Sequence, residues 1–542
     1  MARLEETRHD PSGVHRESAV TRRQILKGAA GVAATAFLGT TLEARGSSNV
    51  SFESTPRSKP KRGGTLQLAL TDTEASETLD PATAAVSTQF VLAGALYNTL
   101  IEEDYTNWSL HPVLAESWEA NRDFTKYEIK LRKGVEFHNG KPLTPEDVVW
   151  SIERQLNPKV ASAAAVRAAM SLSPHSAKAS GKSTVILNLT RADSQLPYLL
   201  SRPFLAIVPA GQTKFTVANA HGTGPFKLDE WQPATNWKVS RNKNYWESGH
   251  PYLDGIDMVV NTDSTARLEG VVTGQFDLAE EIEYSSARSV INNSNVKILT
   301  FDKGINRVIV MDCSVKPFSD PRVRLAFKLA MNRQLAVKSV YADFAVPTSD
   351  LPMPPSDPYY PPHLGVRHYD PAQARSLLKE AGYPKGMDIT LYTSTVVSGM
   401  VELAEVFQQS AKSAGIRVNI KEWSPSTYWD DVWLVKPFYT TYWETPYPPD
   451  YFWYVYAPKA AYNEAKLKLN EVTVTYNEIM KTGNRAEQIK LSQNLYAKLA
   501  NDWGHIIPGN VKSPWVSIPK LQGVDGDQPN FRVKLAGAYL ET

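Results

Sequence analysis

The residues of this chain best suited to binding chemistry are concentrated between residues 423 and 456. Tryptophan and tyrosine combine an apolar body with a polar tip, which suits a partly hydrated cleft wall as well as the margin of a core. This segment is far richer in aromatic residues than the whole chain, of which 10% is aromatic. We predict that at least three of these side chains line a cleft, while Phe438, Phe452 and Trp453 belong to the core. The aromatic residues of the segment are Trp423, Tyr428, Trp429, Trp433, Phe438, Tyr439, Tyr442, Trp443, Tyr447, Tyr451, Phe452, Trp453, Tyr454 and Tyr456.

Signals for catalysis are weak in comparison. The sequence contains neither HExxH nor GxSxG, and residues 176–183 (SAKASGKS) lack the leading glycine of a phosphate-binding loop. His363 and His368 flank a loop without a third metal ligand nearby, and His138 lies in a predicted hairpin. We therefore expect no enzyme activity, no catalytic residue, no cofactor and no bound metal, and we keep a secreted hydrolase as a distant alternative.

The clearest structural elements lie between residues 127 and 154. Tyr127, Ile129 and Leu131 alternate with charged residues, as in a strand with one buried face, and Asn139-Gly140 is typical of a tight hairpin turn. A helix is then predicted to begin with Thr144 as its N-cap, Pro145 in its first turn and Asp147 at its third position. Its apolar stripe is predicted at Val149, Ile152 and Leu156.

Other short motifs are also predicted to stabilise the fold rather than to contact a ligand. Asp320-Pro321 and Asp370-Pro371 are typical N-cap and first-turn pairs, and each predicts the start of a helix. Gly222 and Gly224 are predicted to supply positive φ before Pro225, which is predicted to start a strand. These positions therefore indicate the fold rather than the ligand.

Taken together, the motifs resemble those of the family 5 extracytoplasmic solute-binding proteins, which capture oligopeptides, dipeptides, nickel chelates or sugars for ABC importers. The resemblance covers nearly the whole chain after its N-terminal region, and the motifs occur in the family's order. They are residues 79–82 (LDPA), 95–100 (ALYNTL), 114–119 (LAESWE), 127–154 (YEIKLRKGVEFHNGKPLTPEDVVWSIER), 221–226 (HGTGPF), 317–324 (PFSDPRVR), 369–371 (YDP) and 381–383 (AGY).

The resemblance implies an α/β fold of the periplasmic binding protein type II kind, with two large lobes joined by a two-strand hinge and an extra inserted domain. The hinge strands are expected near residues 310–316 and 508–515. The implied divisions are a signal peptide at 1–45, a flexible leader at 46–62, domain I at 63–104, 220–312 and 515–542, domain II at 105–219, and domain III at 313–514.

The implied function is that of the periplasmic substrate-binding component of an ABC importer, which closes on a solute and delivers it to the transmembrane permease. A peptide or peptide-like solute is the first expectation because it is the commonest ligand of the family. An oligosaccharide, an opine-like conjugate and a nickel chelate remain alternatives, and for the chelate a small chelator would supply most of the metal ligands.

The implied ligand site lies at residues 442–450 (YWETPYPPD), where peptide-binding relatives carry a tryptophan followed by an aspartate that pairs with the ligand's amino group. Thr445 falls at about the aspartate position, with Glu444 beside it and Asp450 after the two prolines. Glu444 could accept an amine instead, whereas Thr445 and the aromatic rings suit hydroxylated ligands. Trp443 is expected to face the cleft, so its loss should weaken binding with little loss of stability. The predicted ligand-binding residues are Trp423, Trp429, Tyr442, Trp443, Glu444, Thr445 and Tyr447.

The N-terminal region carries an export signal. Residues 21–27 (TRRQILK) contain the paired Arg22 and Arg23 of a twin-arginine signal, followed by a mild apolar run that is too short to span a bilayer. Cleavage after Ala44 is expected. The only cysteine, Cys313, excludes an intramolecular disulfide and leaves no cysteine for a lipid anchor near the signal. We therefore expect a periplasmic protein that uses the twin-arginine translocase for export.

Composition is consistent with a large soluble protein. The chain has 542 residues, of which 42% are hydrophobic and 21% charged, with a formal net charge of +2. This length allows more than one core, and the charge balance argues against a nucleic-acid-binding surface. We expect a monomer whose partners are a small-molecule or peptide ligand and the permease subunits.

Overall fold

A computed structural model describes residues 60–71, 77–301, 304–444, 447–524 and 533–541. Its strands are β1 (Thr65–Leu70), β2 (Ile101–Asp104), β3 (Ser109–Pro112), β4 (Ala115–Ala120), β5 (Lys126–Leu131), β6 (Ala177–Ser180), β7 (Thr184–Asn188), β8 (Phe226–Gln232), β9 (Asn236–Arg241), β10 (Gly255–Val260), β11 (Leu278–Ala279), β12 (Lys297–Phe301), β13 (Asn306–Met311), β14 (Ala345–Pro347), β15 (Met387–Thr393), β16 (Ile416–Glu422), β17 (Phe438–Trp443), β18 (His505–Ile506), β19 (Gly509–Val511), β20 (Ser513–Ser517), β21 (Leu521–Gln522) and β22 (Tyr539–Leu540).

The α-helices are α1 (Ser87–Leu96), α2 (Pro145–Glu153), α3 (Ala165–Ala168), α4 (Leu196–Leu200), α5 (Ser264–Val272), α6 (Tyr284–Ser289), α7 (Pro321–Leu329), α8 (Arg333–Tyr341), α9 (Pro371–Glu380), α10 (Met400–Ala411), α11 (Tyr428–Asp431), α12 (Pro448–Tyr451), α13 (Asn470–Ile479) and α14 (Arg485–Asp502). A π-helical turn, Phe452–Tyr456, continues α12. No helix in the described ranges is long and apolar enough to cross a membrane.

The first large lobe is built on a seven-stranded sheet with the order β12-β20-β11-β1-β10-β9-β8. Its central strand, β1, lies parallel to both β10 and β11. Five of its six residues are buried or half-buried, as expected for a parallel strand that is covered on both faces. Strands from distant parts of the chain therefore share one sheet, which confirms the α/β fold class.

The segment between residues 105 and 219, which we call the inserted segment, contains the antiparallel sheet β4-β5-β7-β6. In β5 the buried and exposed residues alternate as predicted. Helix α2 begins with a capping box, in which the Asp147 carboxylate accepts from the Thr144 N–H over 2.8 Å. Its buried stripe is formed by Val148 and Ile152. Val149 and Leu156 are only half-buried, so the stripe lies one residue earlier than predicted.

The second large lobe is built on a five-stranded sheet with the order β16-β15-β17-β13-β18. Strands β15 and β16 are parallel, whereas β13 runs antiparallel to β17, and every residue of β13 and β17 is buried. Helices α7 and α9 begin at the predicted N-caps, because Asp320 and Asp370 each accept a backbone hydrogen bond from their first turn.

The chain passes from the first lobe to the second between β12 and β13, and it returns between β19 and β20. The return lies where the sequence placed it. The first crossing does not, because Val310 lies inside β13, which is hydrogen-bonded to β17 within the second lobe. Because all residues of β13 are buried, its sequence would fit a central strand in the sheet of either lobe. The motifs alone therefore did not show to which lobe β13 belongs. The bounds of the three predicted domains stay a prediction.

Gly222 and Gly224 have a different role from the one predicted. Neither has a positive φ. A Cβ at Gly222 would lie 1.8 Å from the Leu96 carbonyl oxygen, and one at Gly224 would lie 2.4 Å from the Leu96 carbonyl carbon. Both glycines are therefore needed because their backbone passes directly against the end of α1, a constraint that spacing alone cannot show.

Candidate functional site

The aromatic segment, residues 423–456, contributes mainly to the core of the second lobe. It forms β17, α11, α12 and the π-helical turn, and most of its rings belong to one buried cluster. Rings pack edge to face within it, for example Tyr428 on Trp429 with centroids 5.2 Å apart. Phe438 and Phe452 are buried as predicted, but Trp453, also predicted to be core, is half-buried. The half-buried rings of the segment are Trp423, Trp429, Trp453 and Tyr454.

Trp443 ends β17 and is only 6% exposed. Its indole N–H donates to the Glu464 carboxylate over 2.6 Å. Because this ring belongs to the buried cluster, its loss must also cost stability, contrary to the expectation from sequence. Trp443 therefore contributes to the packing of the second lobe.

Glu464 is a functional candidate that sequence analysis did not identify. Its carboxylate is fully buried and also accepts from the indole N–H of Trp433 and from the Thr441 hydroxyl, the latter over 3.3 Å. The His505 Nε2 lies 3.4 Å from the other carboxylate oxygen. These partners are 21 to 41 residues away along the chain, so no local pattern marks the position. Glu464 fixes the orientation of two tryptophan rings at one end of the sheet.

Glu444 follows directly after β17 and is half-buried. Its backbone carbonyl accepts a hydrogen bond from the Tyr451 hydroxyl. Burial, followed by the charge of nearby acidic groups, raises the pKa of that hydroxyl well above its usual range, so it stays a donor. The Glu444 backbone is thereby fixed at the carboxyl end of the strand. Thr445 lies outside the described residues.

Tyr447 lies in a different environment from Trp443. Its ring is fully buried and stacks on Tyr198 of the inserted segment, with centroids 3.8 Å apart. Its hydroxyl donates to the Gln195 side-chain carbonyl over 2.9 Å. Tyr447 therefore joins the second lobe to the inserted segment.

The remaining predicted site residues do not gather around Trp443. Tyr442 is buried against Trp429, with ring centroids 5.9 Å apart. The Trp423 indole N–H is shared between the Thr427 hydroxyl and the Asp431 carboxylate, both at 3.1 Å. Trp423 thus belongs to the surface after β16. The structure brings Tyr442 and Trp429 together. Trp423 and Trp429 pack at the margin of the buried cluster that contains Trp443, whereas Tyr447 belongs to a different cluster.

The described ranges contain no group of three or more histidine, cysteine, aspartate or glutamate side chains arranged to hold a metal ion. Carboxylate and aromatic side chains occur at this edge of the second lobe. In open α/β sheets, ligands bind beyond the carboxyl ends of the strands, and Glu444 and Trp443 occupy that position on β17.

Comparison with known proteins identifies relatives in sequence and in fold. The glutathione-binding protein GsiB of Escherichia coli K12 is 29% identical over 478 residues, covering 81% of this chain and 86% of GsiB. The solved structure of DppA from Helicobacter pylori in complex with the peptide STSA has a TM-score of 0.73 at 23% identity, covering 89% of this chain and 99% of that one. AgaA from A. tumefaciens R10, in complex with agropinic acid, has a TM-score of 0.70 at 21% identity, covering 88% and 99% of the two chains.

The two structural comparisons show a shared fold. The family model for bacterial extracellular solute-binding proteins, family 5 (middle), matches residues 109–464, which is more than half of the chain. This range includes most of the inserted segment, most of the second lobe and Glu464. The chain therefore belongs to the family 5 solute-binding proteins, the substrate-binding components of ABC importers.

Proposed function

We propose that this protein captures a short peptide or peptide-like solute in the cleft between its lobes and presents the closed complex to an ABC permease. The observation that carries the proposal is the position of Glu444. This half-buried carboxylate stands at the carboxyl end of β17, directly after the ring of Trp443. A carboxylate beside an aromatic face suits an ammonium group, which it can bind through a charge-assisted hydrogen bond.

Capture follows from closure of the two lobes. Two crossing strands connect the lobes, so each lobe can move as a rigid unit about them. A ligand that touches both lobes binds the closed form more tightly than the open form and therefore shifts the population towards closure. The permease then recognises the closed form.

The relative GsiB supports a peptide-like solute, since it is described as a glutathione-binding protein. The proposed ligand wall consists of Trp429, Tyr442, Trp443, Glu444 and Thr445. Trp423 and Tyr447 are proposed to lie at its margins. The protein acts as a monomer in the periplasm, by stoichiometric capture rather than catalysis. It reaches that compartment through the twin-arginine translocase, with cleavage of the signal in residues 1–45.

An opine-like conjugate is the second candidate ligand. The support is AgaA, which shares the fold and is described in complex with agropinic acid. Such a ligand combines an amino-acid part with a hydroxylated part, and the latter would stack on tryptophan and tyrosine faces. It would therefore use the same wall with less dependence on the charge of Glu444.

The deciding experiment is mass spectrometry of the solute that copurifies with gently isolated protein, followed by calorimetry with that solute. Parallel titrations use glutathione, an alanine dipeptide, an alanine tripeptide and agropinic acid. Binding of an amine-bearing peptide, together with a smaller radius of gyration in small-angle scattering, supports the proposal. A neutral sugar as copurified solute, or an unchanged radius with a bound ligand, overturns it. Steady product release in an assay with peptide and glycoside panels would instead indicate an enzyme.

A further inference from the structure

Direct contacts join the inserted segment to the second lobe, and three polar residues form what we call the seam latch: Ser194, Arg202 and Arg485. Ser194 and Arg202 belong to the inserted segment, and each bonds to the second lobe. Arg485 belongs to the second lobe and bonds to the inserted segment. The latch therefore favours the arrangement in which the two parts touch.

The inserted segment is also fixed to the first lobe. The Arg154 guanidinium binds both carboxylate oxygens of Asp80, over 2.8 and 2.5 Å. The His138 backbone N–H donates to the Gly222 carbonyl over 2.8 Å. A contact between the inserted segment and the second lobe therefore acts between the two large lobes.

Arg485 is the first residue of α14 and reaches from the second lobe into the inserted segment. Its half-buried guanidinium donates to the Trp108 backbone carbonyl over 2.6 Å, to the Tyr198 hydroxyl over 3.0 Å and to the Asn107 backbone carbonyl. The planar fork of donors suits several fixed acceptors, and hydrogen bonds from a charged group are stronger than those between neutral groups. Because these acceptors lie in the inserted segment, the bonds form only when the two parts are in contact.

Arg202 reaches in the opposite direction, from the inserted segment to the second lobe. Its buried guanidinium lies 2.7 Å from the Asp450 carboxylate of α12 and 3.6 Å from the Glu103 carboxylate of β2. Glu103 is buried and Asp450 is half-buried, so water screens these pairs less than it screens pairs on the surface. Separation of the two parts removes the shorter ion pair and leaves the longer one.

Ser194 completes the hydrogen bonding at the end of α13. Its backbone N–H donates to the Met480 carbonyl over 2.8 Å, and its hydroxyl donates to the Ile479 carbonyl over 2.7 Å. Ile479 ends α13, and the last carbonyls of a helix have no donors within the helix. A helix of the second lobe therefore obtains part of its C-terminal hydrogen bonding from the inserted segment.

Two bulky residues of the inserted segment have backbone conformations that side chains of this size rarely adopt. The φ angles are 61° at Trp108 and 53° at Phe124, and such outliers persist where the surrounding structure requires them. The Trp108 carbonyl accepts from Arg485. The Phe124 ring lies so close to the Gly483 backbone that a Cβ at Gly483 would lie 2.6 Å from the Phe124 Cζ. Both conformations therefore present a group to the second lobe.

We infer that the seam latch keeps part of the ligand-free population closed, so that the protein itself supplies some of the free energy of closure. The inference rests on the proposed capture by closure and adds a contribution that the ligand does not have to provide. The apparent affinity for a ligand that binds the closed form rises with the fraction of molecules already closed. A weaker latch therefore lowers affinity without any change in the proposed ligand wall.

The test measures open and closed populations directly, by pulsed electron paramagnetic resonance between two spin labels on the full chain. Glu128→Cys in β5 and Lys379→Cys in α9 place the labels on exposed positions of the inserted segment and the second lobe. Cys313 is buried, so the two introduced thiols carry the labels. Copurified solute is removed by unfolding in guanidinium and refolding, and mass spectrometry checks its removal. We expect a shorter and a longer distance in this labelled background.

Arg485→Ala should lower the ratio of closed to open molecules about tenfold, the equivalent of one hydrogen bond from a charged group. Gly483→Ala removes no hydrogen-bonding side chain but places a methyl group against Phe124, so it should shift the ratio in the same direction. Lys498→Ala is the matched control, because this lysine lies on the same helix as Arg485 and pairs with Glu471 within the second lobe. The control should leave the ratio unchanged.

Melting curves check that each variant is folded, and Gly483→Ala carries the test if Arg485→Ala does not fold. A single long distance in the labelled background, or the same distance distribution in both latch variants and the control, overturns the latch. Small-angle scattering of the wild type with its copurified solute tests the proposed function separately. Compaction by that solute together with unchanged distributions overturns the latch alone, whereas an unchanged radius of gyration with the solute bound overturns the proposed function and this inference together.

Discussion

The side-chain amide of Asn510 donates a hydrogen bond of 3.3 Å to the side-chain carbonyl of Asn306. The same carbonyl accepts from the Val511 backbone N–H over 2.9 Å. Asn306 begins β13 and Asn510 lies in β19, so one buried oxygen joins the two strands that lead into the crossings between the lobes. The two crossings therefore share a fixed point and cannot move independently.

The first prediction concerns this fixed point. Asn306→Ala removes the side-chain acceptor of the buried Val511 N–H and one acceptor of the Asn510 amide, which keeps its 3.1 Å bond to the Pro352 carbonyl. The free energy of unfolding should fall by about 1 to 3 kcal/mol. We also expect a larger radius of gyration without ligand in small-angle scattering, because the two crossings become independent. Asn157→Ala is the control, since Asn157 is exposed and accepts one backbone bond from Lys159 within a turn. Equal melting temperatures for the two variants would contradict the prediction.

Local features were predictable from sequence because their causes lie within a few residues. The capping box of Thr144 and Asp147 is an example, since both partners lie within one helical turn. The family motifs identified the α/β fold for a related reason, because each motif is a cap or a turn with its own local signal. The apolar stripe of α2 was predicted at Val149, but the buried residue is Val148. Hydrophobic periodicity in one helix does not show which face of the helix packs against the sheet.

The candidate site was harder to predict because its contacts join distant residues. The carbonyl of Asn306 meets an amide 204 residues away, and the hydroxyl of Tyr447 meets a side chain 252 residues away. The number of aromatic residues between 423 and 456 indicated a cleft wall, yet the core of the second lobe uses most of them. Composition shows which residues could bind a ligand, whereas packing decides which of them remain accessible.

The second prediction concerns acid stability. Burial alone would raise the pKa of Asp350, but the attraction of Arg333 and Arg367 outweighs it and lowers the pKa below its ordinary value of 3.8. The folded state therefore binds this proton less readily than the unfolded state. The stabilisation is fully present above about pH 4 and is lost as the pH falls through the folded pKa.

Asp350→Asn tests this at neutral pH by leaving the buried Arg333 guanidinium and the half-buried Arg367 guanidinium without their counter-ion, which should cost about 3 to 5 kcal/mol. The variant should also lose part of the wild-type decline in melting temperature between pH 5 and pH 2. Asp388→Asn is the control, because its pair with Arg417 lies on the exposed surface and should contribute little. A similar effect of both substitutions would show that the buried pair has no special role.

The third prediction concerns export. Arg22 and Arg23 lie outside the described residues, so this prediction rests on the sequence motif alone. Lysine at both positions keeps the charge but removes the feature that the twin-arginine machinery reads, so the precursor should remain in the cytoplasm. Cell fractionation of the double variant measures this. Mature protein in the periplasm of the double variant would show that another route carries the chain.

The fourth prediction concerns the wall formed by Trp443. Trp443→Phe keeps a ring in the buried cluster but removes the indole N–H that binds Glu464, leaving the carboxylate with fewer donors. We expect weaker ligand binding, by about 1 to 3 kcal/mol if the ring is an anchor, together with a lower melting temperature. Trp433→Phe removes the other indole donor of Glu464 and is the matched control for stability. Equal loss of affinity in both variants would assign the effect to Glu464 rather than to contact with Trp443.

The last prediction separates the two ligand classes through Glu444. Glu444→Gln preserves the size of the side chain and removes its charge, so an amine-bearing peptide should bind about tenfold or more weakly, the value of a charge-assisted bond. The remaining affinity should also depend less on salt, because screening acts on the lost ion pair. A ligand that binds through hydroxyl groups and ring stacking should keep nearly its full affinity. Glu422→Gln is the control, since Glu422 is exposed and ends β16, which lies two strands from β17 in the same sheet. Calorimetry at low and high salt on both variants decides the matter, because an equal response of the two glutamates to peptide would place the amine elsewhere in the cleft.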